Sequence, residues 1–436
     1  MQSKIFMAKN RNNLNRVSTT KPGVIGVLSQ WNYGVYTAGS TISLFGLWAH
    51  RLAAAWLAWE LTQSSFWVGM VVFADLIPTL FLTPFAGVLA DRYDRRHMSI
   101  ASQLMGMFQA CVLGYMYLTG DFTQESDIWW LIGWTTFLGI AWALNTAARL
   151  SMVPNLVEHK FIPPAVALNS AIFNLGRVVG PISGALIIDQ WNVGVAFLFN
   201  AVTFIFFIAA LCFIRQVRSE EKPAGGAGVW AQSIEGFKYA ANHPGIGPAM
   251  ILLIAMAVGG KALLEVLPEF ADEVFARGAA GLGELTAVSG VGGLIAAIWL
   301  ASRGDVIGLT RITIIALLVT GLSILGFVAT NWYPLALLSI FVLGVAGIYG
   351  GTATQTLMQH AVEGAMRGRV MSLYGVIHRG APALGALAMG AIAEITGIRW
   401  GVSLGGILCL VVWLWMLKRS KIAAAALERK RSISNQ

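Results

Sequence analysis

The sequence predicts an all-α membrane protein with about twelve transmembrane helices in two six-helix bundles. Three observations lead there. Of its 436 residues, 56% are hydrophobic and only 12% are charged, whereas a soluble domain carries roughly 25% charge. Runs of roughly twenty apolar residues, enough to cross about 30 Å of hydrocarbon, recur about twelve times. Short motifs of the first half also return in register in the second. The 16 Trp and 48 Gly fit the same class, because membrane helices place Trp at the interfaces and Gly at close packing contacts.

In chain order the runs cover 33–60, 66–90, 98–119, 127–148, 164–188 and 193–214, then 246–270, 281–301, 309–330, 333–355, 369–395 and 398–417. They divide the chain into an N-terminal tail (1–30), a first bundle (31–216), a linker (217–245), a second bundle (246–418) and a C-terminal tail (419–436). The linker opens with SEEKPAGGAG (219–228), a Gly/Pro-rich stretch. In VWAQSIEGFKYAANHP (229–244), Trp230, Ile234, Phe237 and Ala241 recur at helical spacing. That pattern predicts a short amphipathic helix on the membrane surface.

Charge sets the orientation. Of the 30 Lys and Arg, 24 fall in the two tails, the linker and the loops after spans two, four, eight and ten. The opposite side holds Arg277 and Arg399. Basic residues mark the cytoplasmic side, so both termini are expected in the cytoplasm of a multi-pass protein of the cell (inner) membrane. The net charge of +9 is spread over loops and tails, so it does not indicate a nucleic-acid partner. Cys111, Cys212 and Cys409 lie in apolar runs and read as packing residues, not as a disulfide or metal site. The first thirty residues are polar and basic, with no cleaved signal peptide evident.

The halves resemble each other. PISGAL (181–186) and PALGAL (382–387) lie 201 residues apart, and NTAARLSMVPNLVE (145–158) parallels GTATQTLMQHAVE (351–363). Each pair joins the fourth span of its half to the fifth. A six-plus-six duplication of this kind is expected of a transporter.

GVLADRYDRR (87–96) places five charges at the end of span two. Gly87, Leu89, Asp91, Arg92, Arg95 and Arg96 resemble the signature loop of the major facilitator superfamily, with Asp94 where that family prefers glycine. Gly176, Gly180, Pro181 and Gly184 resemble the span-five pattern of the family's antiporters. WLAWELTQSSFWVG (56–69) and LPEFADEVFARGA (267–279) look like the drug:proton antiporter branch, which includes bacterial macrolide and siderophore exporters. One departure is span four, which has no arginine before Arg149.

The resemblance implies the major facilitator fold. It further implies a monomeric secondary transporter that exports a hydrophobic or amphipathic small molecule, against protons, by alternating access in the lipid bilayer. A lipid or metabolite transporter on the same fold is one alternative; a membrane sensor without transport is another. The resemblance also sets the signature loop against the start of span eleven, at Gly368 and Arg369. Asp91 then becomes a gate latch, with Arg92, Arg95, Arg96 and Arg369 around it, although Arg95 and Arg96 read mainly as topology determinants. The Gly176, Gly180, Pro181 and Gly184 face is expected at the interface between bundles.

Ionisable residues inside spans are costly, and so mark function. Arg51, Asp75, Arg177, Lys261, Glu265 and Arg379 are the candidate proton or substrate residues; His50 and His378 adjoin arginines. Arg51 and Asp75 each stand twelve residues from Gln63 in the turn between spans one and two. Antiparallel helices place both about 18 Å from that turn, at a depth where they can pair. Lys261 and Glu265 are four apart and share a helix face. Glu269, Asp272 and Glu273 are expected to be solvated at the outer mouth.

No enzyme emerges. GVSLG (401–405) fits a nucleophile-elbow pattern, but Ser403 falls inside span twelve and not on a strand–turn–helix. Gly260-Lys261 lacks the rest of a phosphate loop. No cofactor is implied, so uphill transport has to draw on an ion gradient.

Overall fold

The computed structural model describes residues 24–158, 161–214, 229–303, 305–363 and 366–428. It is 91% helical. After a five-residue helix (Val24–Leu28), the first half contains α1 (Trp31–Thr62), α2 (Ser65–Arg92), α3 (Arg95–Thr119), α4 (Ile128–Met152), α5 (Ile162–Gln190) and α6 (Val193–Phe213). A linker helix (Val229–Asn242) leads to α7 (Ile246–Glu265), α8 (Gly278–Arg303), α9 (Leu309–Ala329), α10 (Tyr333–Ala361), α11 (Arg367–Thr396) and α12 (Ile398–Leu427).

Nine of these helices, α4 to α12, are both long and apolar enough to cross a membrane in the described residues. The first three are long enough: the 25 residues of α3 rise about 37 Å. α3 is less apolar because it buries polar side chains inward, among them Ser99, Ser102, Gln103 and Gln109.

The packing repeats with a period of six helices. α1 packs on α5 and α6, as α7 packs on α11 and α12; α2 packs on α4, as α8 packs on α10; α3 packs on α4 and α6, as α9 packs on α10 and α12. The halves then meet through α2 with α11 and α5 with α8, two contacts that exchange under the same repeat.

The repeated hexamers have a steric reason. A Cβ at Gly184 of α5 would come within 2.9 Å of Ala49 Cα on α1, and one at Gly385 of α11 within 2.8 Å of Val258 Cα on α7. Glycine in each motif lets the fifth helix of a half touch the backbone of the first.

Local signals set the helix ends. Asp94 Oδ1 accepts from the backbone N–H of Arg96 (2.8 Å) and His97 (3.1 Å), capping α3. Asn192 caps α6 in the same way through Val195 N–H at 3.0 Å. Gln63 closes α1 in the left-handed conformation, with φ 48°.

The described termini share one end of the molecule, and the α1–α2, α7–α8 and α11–α12 turns occupy the other, termed the distal end. At the terminal end each half has its own apolar core: Val27, Phe161 and Phe207 in one, Ile246, Leu357 and Leu427 in the other. The distal core of the second half, around Phe270 and Phe327, also takes in Leu52 and Ala185 of the first half. The halves are closed upon each other at the distal end.

Candidate functional site

Polar groups are fixed between these apolar cores. Arg51 Nη2 donates to Asp75 Oδ2 at 2.6 Å, joining α1 to α2 at the shared depth their spacing from Gln63 predicts. The two side chains are 26% and 11% exposed. The Arg51 guanidinium also lies over Trp48 (5.3 Å) and Trp142 (5.8 Å). Arg177 of α5 lies over the Trp48 ring at 5.5 Å, so the indole separates two like charges.

Arg51, Asp75 and Glu265 line a cavity of about 130 Å³, whose walls are otherwise mostly apolar, with Leu76, Leu138 and Leu282 among them. Drug-sized ligands occupy roughly 300–1,000 Å³. A ligand of that size requires the halves to part further than they do here.

Lys261 does not pair with Glu265. Its ammonium lies 2.8 Å and 3.1 Å from the two ring nitrogens of His378 on α11. His378 stacks on Tyr374, with ring centroids 5.2 Å apart, and the Tyr374 hydroxyl donates to Gly351 O at 3.2 Å. A π-helical segment, Met256–Lys261, interrupts α7 where Lys261 projects; such segments frequently occur at functional sites.

With Arg51, Asp75, Lys261 and Glu265, Arg177 on α5 and Arg379 on α11 complete six ionisable side chains inside the spans, of which Arg379 is exposed. Among the described residues, only Arg51 and Asp75 of these six form a direct ion pair.

Two groups of residues stand differently from the sequence expectations. The glycines at 176, 180 and 184 face α1 of their own half, because a Cβ on each would meet Trp48 or Ala49. The contact between halves uses the opposite face of α5, where Pro181 O and Ala185 approach Gly283 of α8, and Val178 approaches Gly290. Helical period identifies a smooth face but not the neighbour that needs it.

Glu269 and Asp272 are not simply solvated. Asp272 accepts from Trp59 Nε1 at 2.9 Å, and Glu269 accepts from the Ser65 hydroxyl. With Ser64 donating to Glu394, three carboxylates of the second half tie down the α1–α2 turn.

Arg369 pairs with Glu235 of the linker helix at 2.7 Å. Arg96 donates to the carbonyls of Cys212 (2.7 Å) and Ile214 (3.2 Å), which lack helical partners at the end of α6. The Asp91 and Arg92 side chains lie outside the described residues.

His50 is buried, its ring tilted against that of Phe197 with centroids 4.8 Å apart, and its Nε2 lies 3.4 Å from the Gln109 amide nitrogen. The sequence reading missed Trp48, Tyr374 and Glu235. Trp48 had a signal, standing three residues before Arg51 on the same helix face.

Two pseudo-equivalent helical bundles are the fold of the major facilitator superfamily, and the matches that follow make the chain a secondary transporter of that superfamily, multi-pass in the membrane, and not an enzyme. Residues 26–435 match the transmembrane secretion effector family, and the chain belongs to that family. It is similar to the staphyloferrin A transporter of Staphylococcus aureus, 25% identical over 390 residues that span 88% of this chain and 96% of that protein. It is similar to the multidrug resistance protein MdtG of Salmonella typhimurium, 27% identical over 415 residues, 86% of this chain and 97% of that one. Its fold matches a peptide transporter POT in complex with sulfate, with a TM-score of 0.71 and 13% identity, covering 91% and 96% of the two chains.

Proposed function

We propose that the chain is a monomeric, proton-coupled exporter of hydrophobic or amphipathic small molecules, working by alternating access in the cell inner membrane. The observation that carries this reading is the Arg51–Asp75 pair, set in an apolar cavity at the seam between the halves. An ion pair that joins two helices beside the seam can be broken and remade as the halves move, which is what a coupling site requires. The likeness to a staphyloferrin A transporter and to a multidrug resistance protein supports small-molecule transport, and the second supports export.

In this reading residues 31–216 and 246–418 are the two moving units and the distal end faces outward. The Glu269, Asp272 and Glu394 contacts then form a closed outer gate, and the protein rests open toward the cytoplasm. Asp91 and Arg92 remain the proposed inner latch, with Arg95 beside them.

Expression in a bacterial strain lacking its own pumps tests the function. Resistance to at least some of a panel of neutral, cationic and anionic amphipathic antimicrobials should rise, and a protonophore should abolish the gain. Unchanged susceptibility across the panel, or a gain indifferent to the protonophore, refutes the proposal.

The basic-residue distribution gives a separate prediction. Single cysteines at Thr123 and Asn331 should react with an impermeant thiol reagent applied to intact cells, and one at Tyr93 should not. Labelling at Tyr93 reverses the orientation.

A further inference from the structure

The closed distal end half-buries an acid among groups that favour its neutral form. Glu269 stands beyond the membrane-spanning length of α7, which ends at Glu265, on the short stretch Leu267–Glu269. α1 and α2 of the first half both pack on that stretch. The hydroxyl of Ser65, a buried residue at the start of α2, donates to the Glu269 carboxylate.

Two further carboxylates act on Glu269. Glu273 follows it by four residues, and Glu394 of α11 accepts from Ser64, the neighbour of Ser65. The other acids of the adjoining elements have partners of their own. Asp272 accepts from Trp59, Glu60 near the end of α1 accepts from the Tyr117 hydroxyl, and Glu284 of α8 holds Tyr333 and Arg277. Among the described residues no cation stands at ion-pair distance from Glu269.

Such neighbours penalise a negative charge and accommodate a neutral acid. Burial pushes the Glu269 carboxyl up to about 7; the Ser65 hydrogen bond opposes the rise, and Glu273 and Glu394 add to it. A serine hydroxyl both donates and accepts, so the contact between the halves survives protonation with the donor role reversed.

We infer that Glu269 is a proton-binding site of the distal gate, and that a proton taken up there favours closure of the two halves. When the halves part, water returns to the carboxylate and its affinity falls toward the ordinary glutamate value of 4.5. The closed state binds the proton more tightly than the open one. Closure is therefore stabilised as pH falls from about 7 toward 4.5, and that stabilisation is lost as pH rises through 7. This inference rests on the gate assigned in the exporter reading and adds what governs it: an external proton shuts the gate behind released cargo.

The test measures gate opening directly. Spin labels are attached to cysteines replacing Thr123 and Asn331, in distal turns of the two halves, in the full chain with Cys111, Cys212 and Cys409 replaced. Double electron–electron resonance in lipid nanodiscs then gives the distance distribution between about pH 8 and about pH 5.5. Both faces share one pH and no substrate is present.

The ratio of closed to open molecules should rise at least about tenfold on acidification over that range, since each pH unit separating the two proton affinities is worth tenfold. Glu269→Gln, which fixes the neutral form, should be closed at the alkaline end and indifferent to pH. A merely structural hydrogen bond predicts the opposite for this variant, a looser gate at every pH. Glu273→Gln should keep the response but move its midpoint to lower pH, because a repelling charge is gone. A distribution indifferent to pH in the unaltered chain, or a response that persists in Glu269→Gln, overturns the inference. If Glu269→Gln fails to fold, the Glu273→Gln midpoint decides, and an unmoved midpoint overturns it. The response should also remain in Asp75→Asn; its loss there would assign the sensor to Asp75 and overturn the role of Glu269. Because nothing is transported, failure of export or of proton coupling leaves this result standing.

Discussion

Asp75→Asn is expected to abolish transport against a gradient and to leave downhill substrate exchange nearly intact. In proteoliposomes with an imposed pH difference, the accumulation ratio should fall to one, while counterflow of labelled substrate should continue. Asparagine keeps an oxygen that can accept from Arg51, so the α1–α2 contact survives in weaker form. Arg51 also keeps its stacking on Trp48 and Trp142. Removing one partner of a buried ion pair costs about 3–5 kcal/mol; the retained acceptor and the partial exposure of Arg51 place this case below that range. Membrane expression should therefore stay normal. What disappears is the carboxylate, the proposed coupling group. If the variant still concentrates substrate, Asp75 is structural and Glu265, on the opposite cavity wall, takes its place as the coupling site.

Gly390→Val is expected to hold the distal gate open and to stop transport. A Cβ at this position would lie 2.6 Å from Phe66 Cα and 2.5 Å from Ser65 O, both backbone atoms of α2. Backbone cannot step aside as a flexible side chain can, so α11 must move away from α2. The three atoms nearest to such a Cβ all belong to α2, so the strain falls on the contact between the halves. A single cysteine at Val72 in the cavity wall, in a chain with Cys111, Cys212 and Cys409 replaced, provides the readout. Its reaction with an impermeant reagent from outside should accelerate by at least about tenfold, as expected if a shift of about 1.4 kcal/mol or more favours the distally open state. Unchanged transport or unchanged labelling would show that the α2–α11 contact at Gly390 is not part of the gate.

The sequence made different parts of this molecule legible for different physical reasons. Arg51 and Asp75 could be paired because one short turn separates their helices, and counting outward from Gln63 fixes relative depth. The distal contacts of Glu269 and Asp272 could not be read that way. Their partners, Ser65 and Trp59, lie more than two hundred residues away, and no local pattern distinguishes a carboxylate facing water from one facing a serine.

Lys261 shows the same limit in another form. Its spacing to Glu265 was correct for a helix face, but His378 arrives from α11, and only assembly of the second half brings it within 2.8 Å. The repeated PISGAL and PALGAL motifs gave the duplication directly. Their purpose, close backbone approach of the fifth helix to the first, needed coordinates for Ala49 and Val258. The linker helix was legible from its period, and its exposed Ile234 (55%) and Phe237 (63%) agree with an apolar face turned outward from the protein. Its anchoring through Glu235 to Arg369 was not.

The Arg51–Asp75 pair also bears on how the membrane voltage acts on this protein. Moving one elementary charge across the whole membrane is worth about 2.3 kcal/mol per 100 mV. The two opposite charges lie 2.6 Å apart, so moved together they do almost no electrical work. Parted along the membrane normal by one helical turn, about a fifth of a 30 Å hydrocarbon layer, they do only about 0.4 kcal/mol at that voltage. The resting potential therefore acts on this pair through its separation alone, and otherwise on whatever net charge the transported species carry.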